Sequence, residues 1–271
     1  MTEQPDSEKS KLSFDKEALL LIDDHEEEVS VDGKTVRKRG IYLLPNLFTT
    51  AALFSGFFAI ISGMHGNFEN AAIAIFAAMI FDGLDGRVAR LMNAQSKFGA
   101  EYDSLADMVS FGVAPALVVF SWALVDLGKF GWAVSFIYVA CAALRLARFN
   151  TQIDTADKNY FTGLASPAAA AVMAGLVWVC AEEGWVEQGI HFEIEVFAGL
   201  LMAMCGMLMI LNVRYSSFKG IDLRGRVPFV VMIAVVLIFG LVSVDPARVL
   251  LAAAMIYALS GPVQAIYRRF K

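Results

Sequence analysis

The chain has 271 residues, of which 58% are hydrophobic and 18% are charged, and its mean hydropathy is +0.59. This composition excludes an ordinary soluble domain and predicts a polytopic membrane protein, because the long uncharged stretches match the hydrocarbon core of a bilayer. The net charge of −5 excludes no class of protein. In a membrane protein, the distribution of charged residues between the two sides of the membrane is more informative than their sum.

A polar tail, residues 1–40, comes first. It has no signal-peptide pattern, because its short apolar stretch, "ALLLI", follows a long charged region. Residues 14–29 fit either a surface helix or a disordered segment, and the sequence does not decide between the two. We predict a cytoplasmic N-terminal tail over residues 1–40 and a transmembrane domain over residues 41–271.

Eight apolar segments of roughly 20 residues follow the tail, and each is long enough for a helix to cross a membrane. The sequence therefore predicts an all-α fold, a polytopic bundle of about eight transmembrane helices. The predicted spans cover residues 42–64, 70–92, 104–127, 130–149, 166–183, 193–213, 227–244 and 247–267.

The basic residues fall almost entirely on one side of this arrangement. With a cytoplasmic N-terminus, the cytoplasmic segments contain all of the 22 Lys and Arg residues except Lys129 and Arg248. The longest outer loop, "AEEGWVEQGIHFEIE", has several glutamates and no Lys or Arg. The positive-inside rule therefore predicts that both termini are cytoplasmic. We expect the protein to lie in the inner membrane and to have its active site at the cytoplasmic face.

Four carboxylates interrupt the apolar pattern where the second predicted span ends and the third begins. Asp82 and Asp85 are three residues apart, and Asp103 and Asp107 are four apart, so each pair lies on one face of its helix. A short cytoplasmic turn joins the two helices, so the four carboxylates are predicted to converge. Converging carboxylates need a cation, and their oxygens are typical ligands of Mg²⁺ and Mn²⁺.

Small residues surround these acids and leave room against the helix backbone. They are Gly83, Gly86, Ala89, Gly99 and Ala100. Small residues also serve close helix packing in membranes. Their combination with four acids and two arginines favours a ligand site over packing alone.

The acids belong to a longer pattern with fixed spacing. Asp82-x-x-Asp85-Gly86-x-x-Ala89-Arg90, then eight residues, then Gly99-x-x-x-Asp103-x-x-x-Asp107, resembles the signature of the CDP-alcohol phosphotransferases. Members of that family are integral membrane enzymes of phospholipid synthesis. They displace CMP from a CDP-linked lipid with the hydroxyl group of a second substrate.

The resemblance implies a role for each fixed residue. The four aspartates would hold a divalent metal ion, Mg²⁺ or Mn²⁺, and Asp107 would also be the catalytic base. Gly86, Ala89 and Gly99 would make room for the cytidine nucleotide. Arg90 is a candidate ligand of the pyrophosphate, with an ion pair to one of the acids as the alternative. Membership of the family would also imply a homodimer.

Further segments are similar to the phosphatidylserine synthase branch of that family. They are "LLPNLFTT", "AALRLARFN", "FTGLASPAAAA" and "VRYSSFKG". The branch resemblance implies that CDP-diacylglycerol and L-serine are the substrates, and it includes Ser166 among the substrate-binding residues. The branch usually reads Gly-Leu-Pro-Ser-Pro where this chain has Ala165 before Ser166, so the local turn is expected to differ.

Arginines and polar groups near the cytoplasmic boundary are candidate substrate ligands. Arg145 and Arg148 suit the carboxylate of serine, which a guanidinium holds through two hydrogen bonds, and anchoring at the membrane surface is the alternative. Asn46 and Thr49, at the start of the first span, are expected either to touch the nucleotide or to cap the helix.

Other functions remain open from the sequence. Within the family, glycerol 3-phosphate or inositol 1-phosphate is an alternative acceptor. A cation-coupled transporter would also place acids in a membrane, but it would need access from both faces. A purely structural scaffold leaves the acids unexplained. The chain has no extended basic patch with interleaved aromatic residues, so nothing supports binding to nucleic acid.

Overall fold

A computed structural model describes residues 26–31, 34–39, 43–92, 96–152, 160–185, 190–216 and 229–269. Within these ranges eight helices form a bundle, so the all-α membrane fold is confirmed. The helices are α1 (Leu43–Met64), α2 (Phe68–Leu91), α3 (Lys97–Leu124), α4 (Lys129–Gln152), α5 (Ser166–Glu182), α6 (Phe192–Ile210), α7 (Phe229–Val244) and α8 (Pro246–Arg269).

Each helix overlaps one predicted span. Five of them, α1, α3, α4, α6 and α8, are long and apolar enough to cross a membrane by length and composition. Helix α5 is apolar but has 17 residues, α7 has 16, and α2 carries the acids near its end. The protein is therefore a multi-pass membrane protein, and the number of eight spans stays a prediction.

Two short strand pairs accompany the helices within the described ranges. Strands β1 (Glu26–Val31) and β2 (Lys34–Arg39) form an antiparallel hairpin, and β3 (Tyr160–Thr162) pairs antiparallel with β4 (Arg214–Ser216). The second pair joins the segment before α5 to the segment after α6.

The hairpin corrects the alternatives considered for the tail. Residues 26–29 lie in β1, not in a surface helix or a disordered segment, and residues 14–25 lie outside the described residues. The two strands are separated in the sequence by Asp-Gly, a dipeptide typical of tight hairpins. The Asp-Gly signal favours a hairpin in a region for which only a surface helix or a disordered segment was considered.

Helix α3 begins earlier than predicted, at Lys97 instead of residue 104. The side chain of Ser96 accepts a hydrogen bond from the backbone N–H of Gly99 at 3.0 Å, which satisfies one of the unpaired donors of the first turn. The polar residues of this first stretch hid its helical character from the hydropathy pattern. As a result, Asp103 lies within the second turn of a capped helix.

Helix α3 also widens directly after Asp107. Residues Met108–Val113 and Phe120–Leu124 form π-helical turns, which are frequently found at functional sites. Pro115 lies between these stretches and has no N–H to donate to the preceding turn. The first wide turn separates the acidic end of α3 from its apolar remainder.

Close packing of α1 against α3 sets the positions of the acidic elements. A Cβ atom added to Gly56 would lie 2.6 Å from the Oγ atom of Ser110, so only glycine fits there. Ser110 donates a hydrogen bond to the carbonyl oxygen of Ala52 at 3.0 Å, which satisfies its buried hydroxyl group. Helix α1 also packs along α2, so it contacts both helices that carry the acids.

Candidate active site

The acids of α2 and α3 meet near the ends of the two helices. Asp82, Asp85 and Asp103 each present one carboxylate oxygen, and these three atoms all lie within 4.8 Å of one another. Asp85 is 5% exposed, and the other two are half-buried. The predicted helical spacing thus does bring three of the four acids together.

Asp107 lies beside this cluster, one turn further along α3. Its side chain is within hydrogen-bonding contact of Asp82, and Arg145 of α4 is close enough to interact with it electrostatically. Two carboxyl groups in contact need a proton or a cation between them. Asp107 is therefore close both to the acidic cluster and to the arginine.

The donor set of the cluster fits a divalent cation. Hard ions such as Mg²⁺ and Mn²⁺ prefer oxygen ligands, and three carboxylate oxygens within 4.8 Å provide them. The like charges of these side chains would otherwise oppose one another in a partly buried site. Asp82, Asp85 and Asp103 can therefore hold a metal ion.

Thr49 of α1 fixes the orientation of Asp85. Its Oγ1 atom donates a hydrogen bond to Oδ2 of Asp85 at 2.8 Å, and it also lies 3.3 Å from the carbonyl oxygen of Pro45. Helix α1 begins at Leu43, so neither Thr49 nor Asn46 is at the capping position. The capping alternative for these two residues is wrong, and Thr49 supports the carboxylate cluster.

A pocket of about 380 Å³ opens beside the acids. It contains six of the predicted substrate-binding residues together with two of the acids. Its lining is Pro45, Asn46, Thr49, Asp85, Gly86, Ala89, Arg90, Ser96, Gly99, Ala100 and Asp103. Ser96 and Pro45 were missed from the sequence, although a serine before a helix is a recognisable cap.

The small residues of this pocket leave the helix backbone accessible. A Cβ atom added to Gly86 would meet nothing within 4 Å, and one at Gly99 would lie 3.2 Å from Oγ of Ser96. Arg90 lines the same pocket, and among the described residues it forms no ion pair with an acid. The open space along the helix suits a flat group, and the guanidinium of Arg90 at the pocket wall favours an anionic ligand.

Arg145, which is close to Asp107, contacts Ser166. Its Nη1 atom donates a hydrogen bond to Oγ of Ser166 at 2.7 Å, and Ser166 is fully buried. The buried Nε atom of Arg145 has no hydrogen-bond partner among the described residues. Arg145 therefore keeps a donor beside the acidic cluster.

Arg148 makes different contacts, with the end of α6 and with β3. Its Nη1 atom donates to the carbonyl oxygen of Ile210 at 2.9 Å and to Oδ1 of Asn212 at 3.2 Å. Its Nη2 atom donates to the carbonyl oxygens of Thr162 at 2.9 Å and Met209 at 3.3 Å. Arg148 thus ties the end of α6 to β3, and its role as a serine ligand or a membrane anchor stays a prediction.

The turn before α5 is built to bring Ser166 to Arg145. Gly163 has φ +83°, and a Cβ atom there would collide with the carbonyl oxygen of Met209. Ala165 has φ −64°, close to the value that proline fixes. The backbone at Ala165 is therefore compatible with the proline that the branch usually has there, and a turn different from that of the branch stays an expectation.

Comparison with known proteins identifies the family. The sequence model described as CDP-alcohol phosphatidyltransferase matches residues 42–211, which include all four acids. The chain belongs to this family. The CDP-alcohol phosphatidyltransferase segment thus extends from the start of α1 to the end of α6, and helices α7 and α8 lie beyond it.

Curated relatives cover more of this CDP-alcohol phosphatidyltransferase than the family segment does. A CDP-diacylglycerol–serine O-phosphatidyltransferase of Helicobacter pylori strain J99 is 37% identical over 231 residues, 85% of this chain and 94% of the relative. One of Mycobacterium tuberculosis strain H37Rv is 38% identical over 186 residues, 65% of each chain. An archaetidylserine synthase of Methanothermobacter thermautotrophicus is 34% identical over 179 residues, 65% of this chain and 71% of the relative.

Replacing Thr49 by valine should weaken metal-dependent activity by about 10–100-fold, the usual effect of losing a group that orients a metal ligand. Valine keeps the shape of the side chain but cannot donate to Asp85. The metal concentration for half-maximal activity should rise. The control is Thr151→Val, because Thr151 bonds only to carbonyl oxygens of its own helix. Equal metal dependence of the two variants would remove Thr49 from the site.

Proposed function

We propose that this enzyme is a phosphatidylserine synthase, which transfers the phosphatidyl group of CDP-diacylglycerol to the hydroxyl group of L-serine and releases CMP. The observation that carries the proposal is the position of Asp107. It lies next to Asp82 of the acidic cluster, which suits a metal ion, and near Arg145, a cation suited to a carboxylate. The names of the relatives from Helicobacter and Mycobacterium support the same substrates.

The acidic cluster is proposed as the metal site, with Asp82, Asp85 and Asp103 as ligands and Asp107 beside Asp82. Mg²⁺ and Mn²⁺ both suit this set of oxygen donors. A bound ion would supply charge neutralisation for the phosphoryl oxygens and the leaving CMP. Thr49 contributes by holding the carboxylate of Asp85 in a fixed orientation.

The pocket beside the cluster is proposed to bind the cytidine diphosphate part of the lipid. Its volume of about 380 Å³ lies within the usual range of small-molecule sites. Gly86, Ala89 and Gly99 make room along the helices, Asn46 supplies a polar group, and Arg90 contacts the pyrophosphate. The acyl chains would lie between helices in the surrounding membrane lipid.

Asp107 is proposed as the base of the transfer step. The serine oxygen forms a bond to the phosphorus that carries diacylglycerol, and the bond from that phosphorus to the CMP oxygen breaks. The proton of the serine hydroxyl group passes to the carboxylate of Asp107 as the oxygen attacks. A base in such a position typically contributes about 10²–10⁴-fold to the rate.

Arg145 is proposed to hold the carboxylate of serine, and Ser166 shares the same side of the site. The guanidinium already donates to Ser166 and has a donor left at Nε. Arg148 is proposed to position the turn that carries Ser166. It donates to backbone carbonyl oxygens of β3 and of the end of α6 and so holds these two elements together. We also propose that the protein is a homodimer in the inner membrane. Both termini and the site would lie on the cytoplasmic side, which is the topology that the distribution of Lys and Arg favours.

The acceptor is tested by supplying the purified protein in detergent with CDP-diacylglycerol, Mg²⁺ or Mn²⁺, and one alcohol at a time. CMP release should require L-serine and should not occur with glycerol 3-phosphate or inositol 1-phosphate. Release with one of the phosphorylated alcohols alone would assign another reaction of the same family. The absence of CMP release with all three would contradict the enzymatic proposal and leave cation transport to be tested.

Replacing Arg145 by lysine should raise the apparent KM for serine about tenfold or more and leave that for CDP-diacylglycerol nearly unchanged. Lysine keeps the charge but loses the two-donor geometry that suits a carboxylate. Steady-state kinetics with each substrate varied in turn measure the split. The exposed Arg87 on α2 provides the control, and Arg87→Lys should change neither KM. Equal increases for both substrates would place Arg145 at the pyrophosphate instead.

A further inference from the structure

Two hydrogen bonds join α4 to α3, and the first lies near the end of α4. Nδ2 of Asn150 donates to Oγ of Ser104 at 3.0 Å, and the hydroxyl group of Ser104 donates to the carbonyl oxygen of Ala100 at 3.0 Å. A serine hydroxyl group has one proton to donate and two lone pairs that accept, so both bonds form together. The contact between Asn150 and Ser104, the terminal bond, reaches α3 directly beside Asp103.

The second hydrogen bond lies closer to the middle of both helices. The hydroxyl group of Tyr138, a fully buried residue of α4, donates to the carbonyl oxygen of Phe111 at 3.2 Å. In a regular α-helix this carbonyl oxygen would accept from residue 115, but Pro115 has no N–H. Tyr138 therefore supplies a donor where the backbone of α3 lacks the usual one. The contact between Tyr138 and Phe111 is the buried bond.

The terminal bond and the buried bond bracket the two residues on which the proposed transfer depends. Asp107 lies on α3 between the residues that accept the two bonds, and Arg145 lies on α4 between the residues that donate them. Toward the end of α4 the bonds reach earlier residues of α3, so the two helices are antiparallel. The order of the contacts therefore puts Asp107 and Arg145 at about the same level, in agreement with their electrostatic interaction.

These two bonds connect the two sides of the proposed reaction. The pocket is lined by residues of α1, α2 and the start of α3, whereas Arg145 and its partner Ser166 lie on α4 and α5. Another contact of α3 stays on the pocket side, because the hydroxyl groups of Tyr102 on α3 and Thr50 on α1 lie 2.9 Å apart. The bonds from α4 therefore fix the acceptor side relative to the acids, and the bond from Thr50 does not.

We propose that Asn150 and Tyr138 are positioning residues for the transfer step, because their bonds to α3 hold α4 in the register that brings the acceptor hydroxyl group to Asp107. This inference rests on the proposed function. Each residue acts through α3 and not through a contact with a substrate. Loss of either bond should therefore slow the transfer and leave the binding of each substrate intact, since each side of the site keeps its own ligands.

The test measures steady-state kinetics of Asn150→Ala and Tyr138→Phe with each substrate varied in turn. Each variant should lower kcat by about 10–100-fold, because an error of about 1 Å in the placement of a reacting group can cost about 100-fold. Both KM values and the metal concentration for half-maximal activity should stay close to wild type. The Tm should change little, since one interhelical hydrogen bond contributes little to the stability of a membrane bundle.

Matched controls remove similar groups that do not join α3 to α4. Thr151→Ala changes the neighbour of Asn150, whose hydroxyl group bonds only to carbonyl oxygens of its own helix. Tyr102→Phe removes a phenol hydroxyl group that contacts Thr50 of α1. Both control variants should keep a kcat close to wild type.

A double variant tests whether Asn150 acts through Ser104. Ser104→Ala should reproduce the loss of Asn150→Ala, and the double variant should lose no more, because both changes remove the same bond. Additive losses would overturn the inference for Asn150.

Other outcomes separate this inference from the proposed function. An unchanged kcat in Asn150→Ala or Tyr138→Phe would overturn the inference alone, and so would a large loss of Tm with raised KM values for both substrates, since the bonds would then only stabilise the bundle. A wild-type protein that uses another alcohol in place of serine would overturn the proposed function, and the kcat values measured with that alcohol would still decide the inference. No CMP release with any alcohol would overturn both.

Discussion

Repulsion between carboxylates held within 4.8 Å of one another is the constraint on which the rest of the site depends. The bundle meets it by fixing the helices that carry the acids. Gly56 and Ser110 let α1 pack closely on α3, Thr49 holds Asp85, and Ser96 caps the helix that carries Asp103. A divalent cation bound among these oxygens would remove the repulsion and supply the positive charge that suits a pyrophosphate.

The same arrangement separates two halves of the proposed reaction. The proposed nucleotide pocket lies between α1, α2 and the start of α3, whereas Arg145 and Ser166 lie on α4 and α5. Asp107 is next to Asp82 and close to Arg145, and it is not among the residues that line the pocket. The proposed base would therefore reach an acceptor hydroxyl group from outside the proposed nucleotide pocket, which suits transfer between two different substrates.

The sequence predicted the parts of this structure that depend on local spacing. Hydropathy located the helices, and spacings of three and four residues identified the faces on which Asp82, Asp85 and Asp103 meet. The sequence could not predict long-range contacts. Arg148 donates to the carbonyl oxygen of Ile210, 62 residues away, and Thr49 meets Asp85 only through the packing of α1 on α2. The hairpin of the tail and the cap at Ser96 had local signals that hydropathy alone does not register.

The most direct test of the account is the metal dependence of CMP release by the purified protein, measured with calorimetric titration of Mg²⁺ or Mn²⁺. Chelation should abolish activity and added metal should restore it. Asp82→Asn, Asp85→Asn and Asp103→Asn should each lose at least about 100-fold in activity and bind metal more weakly. The control variant Asp126→Asn, at an exposed position, should keep both normal activity and normal metal affinity. Full activity under chelation, or near-normal activity of any of the three variants at limiting metal, would contradict the account.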